Sequence, residues 1–205
     1  MTLKEDSATR QQQIVAATLD LIARRGLANL TTAAIAQEVG FSEGAIFKHF
    51  SGKEAILAAA VQSVGGRLAT QAAAIAGRKD LPPAEKVRSI LELHLSLAAA
   101  NPAMPRILFS DELYSSYTNL KGRIKGIIAD YTRALTAIFN EGVETGEFAR
   151  LFPPHTLAFI FIGLIQSTIV RWRLDDGLDP REEGPNIYRA IMLLLGYKED
   201  NTSCK

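Results

Sequence analysis

Apolar residues return every three or four positions along almost the whole chain, the spacing of helices that bury one side. Ile14, Ala17, Leu21 and Ile22 share one face of a predicted first helix, which begins near Ser7 to Thr9 and ends at Gly26. A second, short helix follows "ANL", with Thr31 or Thr32 able to cap it, and stops at Gly40. Ser42 can cap a third, barely two turns long. Ser51 and Glu54 have the spacing of a capping box and open a fourth helix, predicted to reach about Ala76. Beyond Gly77 the charged linker "GRKDLPP" leads to a helix from Pro82 or Pro83 to about Ala100. Further helices are predicted from Asn101-Pro102, over Tyr117 to Thr145, His155 to Arg173, and Asn186 to Leu195. About nine helices and little that reads as strand make an all-α protein. Three short helices come first, and the fourth joins them to a longer-helix region. The predicted domains are 8–67 and 68–205, parting near the middle of that fourth helix.

Composition narrows the class. Hydrophobic residues make up 47% and charged ones 22%, so global disorder is excluded. A net charge of +1 neither demands nor excludes a polyanionic partner, and any such partner must be argued from where charges sit. A single cysteine, Cys204, allows no disulfide within one chain and fits a reducing cytosol. The first residues hold no apolar signal segment, and the longest apolar run, Leu157 to Val170, has fourteen residues. A spanning helix needs roughly 20. That run is expected to be a buried helix of a cytoplasmic protein.

One stretch, "GFSEGAIFKHFSGKE" (40–54), breaks the Ala-rich pattern. Only "GFS" separates the second and third helices, and Ala36, Gly40 and Ile46 stand at helix-turn-helix spacing. On spacing alone, a helix-turn-helix and a tight corner of any helical bundle are equally good readings. The exposed face says more. With Ile46 and Phe50 turned inward, Glu43, Gly44, Phe47 and Lys48 point outward, and Gly44 with Ala45 leaves little bulk. Thr31, Thr32, Ser42, Lys48, His49 and Lys53 can each reach a phosphate, the kind of contact that carries most affinity for DNA. Residues 1–56 nevertheless hold six Lys/Arg and six Asp/Glu, so no strong basic field exists and binding is expected to need two copies of the site.

The stretch "TTAAIAQEVGFSEGAIFKHFSGKEAIL" resembles the DNA-binding domain of the TetR (tetracycline repressor) family over roughly residues 8–67. Its most specific part is Gly44-Ala45-Ile46-Phe47-Lys48-His49-Phe50 followed by Lys53-Glu54. The resemblance implies a helix-turn-helix on operator DNA and a variable C-terminal helical domain that dimerises and holds an effector. It places Thr32, Ser42, Gly44, Ala45, Phe47, Lys48, His49 and Lys53 near DNA. The family often has Tyr-Tyr where this chain has Phe47-Lys48, which changes individual contacts but not the docking mode.

The remaining helices suggest a body. The helix from His155 to Arg173 is apolar nearly all round, so it must be buried on every face, one of them against a second copy. The expected homodimer interface is Phe161, Ile165, Ile169, Ile187, Ile191, Leu194 and Leu195. Two reading heads then predict an inverted-repeat operator with half-sites about one DNA turn, ~34 Å, or a multiple apart. Polar residues in apolar helices mark an expected pocket for a mostly hydrophobic small-molecule effector: His94 and Gln166, with walls from Phe109, Tyr117, Phe139 and Phe159. Gly65-Gly66 inside the fourth helix is either a hinge or a close-packing point. Three scattered histidines and no HExxH, Walker, GxSxG or GxGxxG motif argue against an enzyme, and no cofactor or metal is expected. Asp111-Glu112 and Asp175-Asp176 read as a helix start and a solvated turn. The chain is thus expected to be a transcriptional repressor released by its effector, the alternative being a helical dimeric adaptor that binds only protein.

Overall fold

The computed structural model describes residues 7–174 and 179–197, so Cys204 and the Asp175-Asp176 pair lie outside the described residues. It is all-α, with eleven α-helices and no strand among the described residues. The first four are α1 (Ser7–Arg25), α2 (Thr32–Val39), α3 (Glu43–Phe47) and α4 (Lys53–Val61). A π-helical turn, Gln62–Gly66, carries α4 directly into α5 (Arg67–Ala76). Then come α6 (Pro83–Ala100), α7 (Ala103–Leu108), α8 (Asp111–Ser116), α9 (Thr118–Glu144) and α10 (Pro154–Leu174). A 3₁₀ turn, Pro180–Glu183, precedes α11 (Gly184–Leu194).

The chain forms two compact units. Unit 1 runs up to Arg67 and also takes in Asn101–Ile127; unit 2 holds Leu68–Ala100 and the chain from Ile128 on. The division at 67/68 is where the fourth predicted helix was to be shared, but 101–127 was predicted to belong with the body. Burial explains the difference. Ala103, Met104 and Ile107 of α7, Leu113 of α8, and Leu120 and Ile124 of α9 sit in one core cluster with Ile14, Leu21, Ile35, Ile46 and Leu57. Without them the core of the first four helices stays open on one side.

Local signals set most helix ends in unit 1. The Thr31 hydroxyl accepts the Ala34 N–H at 3.0 Å, and the Ser42 hydroxyl accepts the Ala45 N–H at 3.2 Å. Gly40 closes α2 at φ +77°, a left-handed conformation that glycine adopts without penalty. The Ser51–Glu54 capping box does not form, because Gly52 caps α4 without a side-chain bond. Glu54 instead accepts the Leu120 N–H at 3.0 Å and satisfies an otherwise orphaned donor at the start of α9. Arg24 ties α1 to α2 by bonding both Asp20 (2.8 Å) and Glu38 (2.7 Å).

The glycine pair falls in the π turn. Gly66 is buried, and a Cβ there would collide with the side-chain amide of Gln62, whose Oε1 accepts from Arg123 of α9 at 3.4 Å. A Cβ on Gly65 would lie 3.4 Å from Ile127. The Gln62 amide is the far end of a flexible side chain and 3.4 Å is ordinary contact, so neither neighbour by itself demands glycine; the pair coincides with the π turn, which interrupts the regular helical ladder.

Unit 2 is bound together by buried polar contacts as well as apolar ones. Lys86 is fully buried, and its ammonium donates to both Glu141 oxygens at 2.7 Å and to the Ala76 carbonyl at 3.3 Å. One side chain thus joins the end of α5, the start of α6 and the end of α9. The Glu147 carboxylate caps α6 by accepting the Ala84 N–H at 2.9 Å. Helix α10 has 21 residues and is long and apolar enough, by length and composition, to cross a membrane. In the fold it packs on α6, α11 and the 3₁₀ turn. Its buried stripe is Leu157, Ala158, Phe161, Ile165 and Ile169. The opposite side is open in the single chain.

Candidate nucleic-acid interface

Ile46 is completely buried and fixes α3 to the core, with Phe50 half-buried beside it. Glu43, Gly44, Phe47 and Lys48 are exposed, Phe47 by 52%, while Ala45 is half-buried. Nothing approaches within 4 Å of where a Gly44 Cβ would be. The short α3 therefore presents a flat, accessible edge with one aromatic ring and one ammonium on it.

The other predicted contact residues surround this edge. Thr31 and Ser42 use their hydroxyls as helix caps, and Thr32 donates its own to the Glu43 carboxylate, which joins α2 to α3. His49 is half-buried; its Nδ1 lies 3.3 Å from the Ser7 hydroxyl, and its carbonyl accepts from Gln11 at 3.4 Å. Lys53 is half-buried, with its ammonium 5.9 Å from the Tyr117 ring centre. All ten predicted residues thus lie on α2 and α3 with their caps, in the turn that follows α3, or at the start of α4, and several already have intramolecular duties. Sequence reasoning missed Arg10, whose guanidinium sits 4.6 Å over the Phe41 ring and supports the turn between α2 and α3. No local pattern marks that pairing, since the two residues are 31 positions apart in sequence.

The predicted effector residues are divided between the two units. Phe109, about half exposed, and Tyr117, half-buried, belong to unit 1. In unit 2, Phe139 is fully buried core, whereas Phe159 and Gln166 lie on the open side of α10. Only His94 occupies an inward polar position. Its Nδ1 lies 3.0 Å from the Tyr131 hydroxyl and the rings meet edge to face at 5.3 Å. Burial pushes the His94 pKa down to about 4 and the Tyr131 phenol up. Tyr131 escaped notice because it falls on the apolar side of α9, where an aromatic ring reads as core. A separate groove of about 340 Å³ is lined by Arg88, Leu91, Leu95, Arg181 and Tyr188, with the Arg88 guanidinium 4.2 Å over the Tyr188 ring.

The predicted dimer residues are also placed differently. Phe161, Ile165, Ile169, Ile187, Ile191 and Leu195 are buried inside the protomer, and Leu194 is half-buried. They zip α10 to α11 and unit 2's interior, so they are not available to a second chain. A helix apolar on all sides gives no phase from sequence alone. The open side carries Phe159 (77% exposed), Gly163, Gln166, Val170 and Leu174 (82%), and α11 adds Leu193 (70%).

Comparison with known proteins agrees with this layout. Residues 14–60 match bacterial regulatory proteins of the tetR family, and residues 80–195 match the tetracyclin repressor-like C-terminal domain. The fatty acid metabolism regulator protein of Bacillus subtilis is 26% identical over 167 residues, covering 82% of this chain and 85% of that protein. The nucleoid occlusion factor SlmA of Haemophilus influenzae is 28% identical over 124 residues, 60% of this chain and 55% of that protein. Among solved structures, the regulator FadR from Bacillus subtilis, in complex with stearoyl-CoA, superposes with a TM-score of 0.76 at 24% identity, covering 92% of this chain and 99% of that one. SmeT, repressor of the Stenotrophomonas maltophilia efflux pump SmeDEF, gives 0.75 at 15% identity, covering 96% and 94%. With a helix-turn-helix edge in unit 1 and matches across both parts of the chain, this protein belongs to the tetR family and is a DNA-binding transcriptional regulator.

Proposed function

We propose that two copies of this chain form a repressor that holds an inverted-repeat operator and lets go when an acyl-chain effector binds. The observation that carries the reading is the α3 edge: a buried Ile46 under an exposed Gly44, Phe47 and Lys48, started by the Ser42 cap. Phe47 offers an apolar face to a base edge or methyl group, Lys48 and Lys53 offer charge to phosphate, and Gly44 lets the backbone come close.

Doubling follows from α10. Phe159, Gly163, Gln166, Val170 and Leu174 stand at i, i+4, i+7, i+11 and i+15, one continuous stripe. An exposed apolar stripe of this kind marks a protein interface, and no Cβ at Gly163 allows a partner helix to pack tightly. Because the stripe is self-contained on one chain, a two-fold contact between identical stripes is the simplest closed solution. The adaptor reading explains the stripe but not the bare edge of α3.

The effector class rests on the fatty acid regulator relatives, one of them solved with stearoyl-CoA. A regulator of this kind works in the cytoplasm beside its DNA, and carries no catalytic step. The experiment is selection of bound sites from random duplex DNA with the purified protein. The expected result is an enriched inverted repeat with half-sites ~34 Å, or a multiple, apart. Enrichment of single asymmetric sites would remove the dimeric reading, and no enrichment would favour the adaptor.

A further inference from the structure

Unit 1 carries a second group of cations, outside the helix-turn-helix. Its two segments, residues 1–67 and 101–127, hold eleven Lys/Arg and eight Asp/Glu, whereas unit 2 holds twelve and fourteen. The positive excess of the chain therefore belongs to unit 1. Most of it comes from the start of α9, where Lys121, Arg123 and Lys125 fall within five positions. No Asp or Glu stands anywhere from Leu113 to Ala129. All three cations are exposed. Arg123 is bonded to Gln62, but no salt bridge among the described residues engages Lys121 or Lys125.

The geometry gives this group a direction. Tyr117, Lys121 and Lys125 stand at i, i+4 and i+8, a single ridge that climbs about 6 Å at each step. The Lys121 N–H bonds the Tyr117 carbonyl at 3.0 Å, so the helical turn already includes Tyr117. At its lower end the ridge meets the start of α4: the Lys53 ammonium lies 5.9 Å from the Tyr117 ring centre, and Glu54 accepts the Leu120 N–H at 3.0 Å. Lys53, Lys121 and Lys125 thus form one row that begins where α4 begins.

The surface beside the row is bare. A Cβ on Gly122 or on Gly126 would meet nothing within 4 Å. Glycine inside a helix costs stability, and no internal packing asks for it at these two positions. A strip without side chains next to a line of ammonium groups suits the close approach of an extended anionic backbone.

Resting on the reading of Lys53 as a phosphate contact, we propose that Lys121 and Lys125 extend the DNA-binding surface along α9 and hold phosphates beyond those met by the helix-turn-helix. Such contacts add affinity and fix orientation without reading bases. An acidic protein would also match the charge, but duplex DNA is the occupant that covers the start of α4 and the ridge together.

The test uses the full-length protein on a selected operator and on unrelated duplex DNA of equal length. Dissociation constants are measured by fluorescence anisotropy between about 50 and 200 mM salt. Lys121→Ala with Lys125→Ala should lower the salt slope by about two and weaken binding about tenfold. Both DNAs should be affected alike, so that preference for the operator is retained. Lys121→Arg with Lys125→Arg should keep the wild-type slope. Lys79→Ala with Arg133→Ala removes the same charge from exposed positions of unit 2 and should leave the slope unchanged. An equal loss in that control overturns the proposal, because net charge and not the ridge would then set the slope. An unchanged slope in the folded Lys121→Ala, Lys125→Ala variant also overturns it; if Lys53→Ala still lowers the slope, the reading of α4 stands, and the ridge is left to an acidic protein. If Lys53→Ala leaves the slope unchanged as well, the phosphate reading of α4 fails with it.

Discussion

Both units expose some aromatic or aliphatic side chains, Phe47, Phe109 and Tyr114 in unit 1 and Phe159, Leu174 and Leu193 in unit 2, but only unit 2, among the described residues, also buries a charged one. In unit 1 the fully buried polar side chain among the described residues is Thr18, and its hydroxyl simply donates to the Ile14 carbonyl at 2.7 Å. In unit 2 a lysine is fully buried, a histidine–tyrosine pair lies in the core, and Phe159, Leu174 and Leu193 face out. The closed core of unit 1 serves as a mount for α3. In the proposed repressor the exposed apolar groups of unit 2 are the ones that a second chain would cover.

The contrast can be broken at its outer surface first. Phe159→Asp with Leu193→Asp should turn a dimer into a monomer at micromolar concentration, read by light scattering. Each buried aromatic or leucine side chain is worth about 2 kcal/mol, and a two-fold interface loses each of them twice. Helical content should be retained, because both residues point away from the protomer's core.

Next comes the buried charge. Lys86→Ala leaves Glu141 facing the Ala76 carbonyl without its cation and should cost about 3 kcal/mol in urea unfolding, the lower end for a broken buried pair because Glu141 is partly exposed. Lys86→Met with Glu141→Leu should recover most of that loss. If the single variant is as stable as the wild type, the bridge holds nothing together.

Protonation tests the interior from another direction. The folded-state pKa of His94 is lowered from 6.5 to about 4 by burial, so between those values the unfolded chain binds more protons. Stability should therefore be full above pH 6.5, fall as pH drops, and lose up to roughly 3 kcal/mol by pH 4. The His94→Leu, Tyr131→Phe variant should show a flatter profile over that window. The smallest effect belongs to unit 1: Lys48→Ala should weaken operator binding several-fold and reduce the salt slope by about one. An unchanged slope means Lys48 does not touch phosphate.

What could be read from sequence follows the reach of each interaction. Thr31, Gly40 and Ser42 act within three or four residues, so α2, the turn and α3 were placed from sequence with their caps. Glu54 has an equally suggestive local pattern with Ser51, yet it bonds a backbone group 66 positions away, and tertiary packing overrides the local motif. Gly65 and Gly66 stand out as a break in helix propensity, but no local pattern distinguishes the π turn found there from a simple kink. The phase of α10 was hidden for a different reason: when every face is apolar, periodicity carries no direction. His94 was visible as an odd residue in an apolar helix, while its partner Tyr131, 37 positions on, was not.

Because the chain passes between the units at 67/68, 100/101 and 127/128, the DNA-reading module is not a contiguous gene segment. A chimera made by joining residues 1–67 to the body of another regulator would lose Ala103, Ile107, Leu113 and Leu120 from beneath α1 and α4, or receive a stranger's helices in their place. A swap of the DNA-reading unit must therefore carry 101–127 across together with the chain up to Arg67.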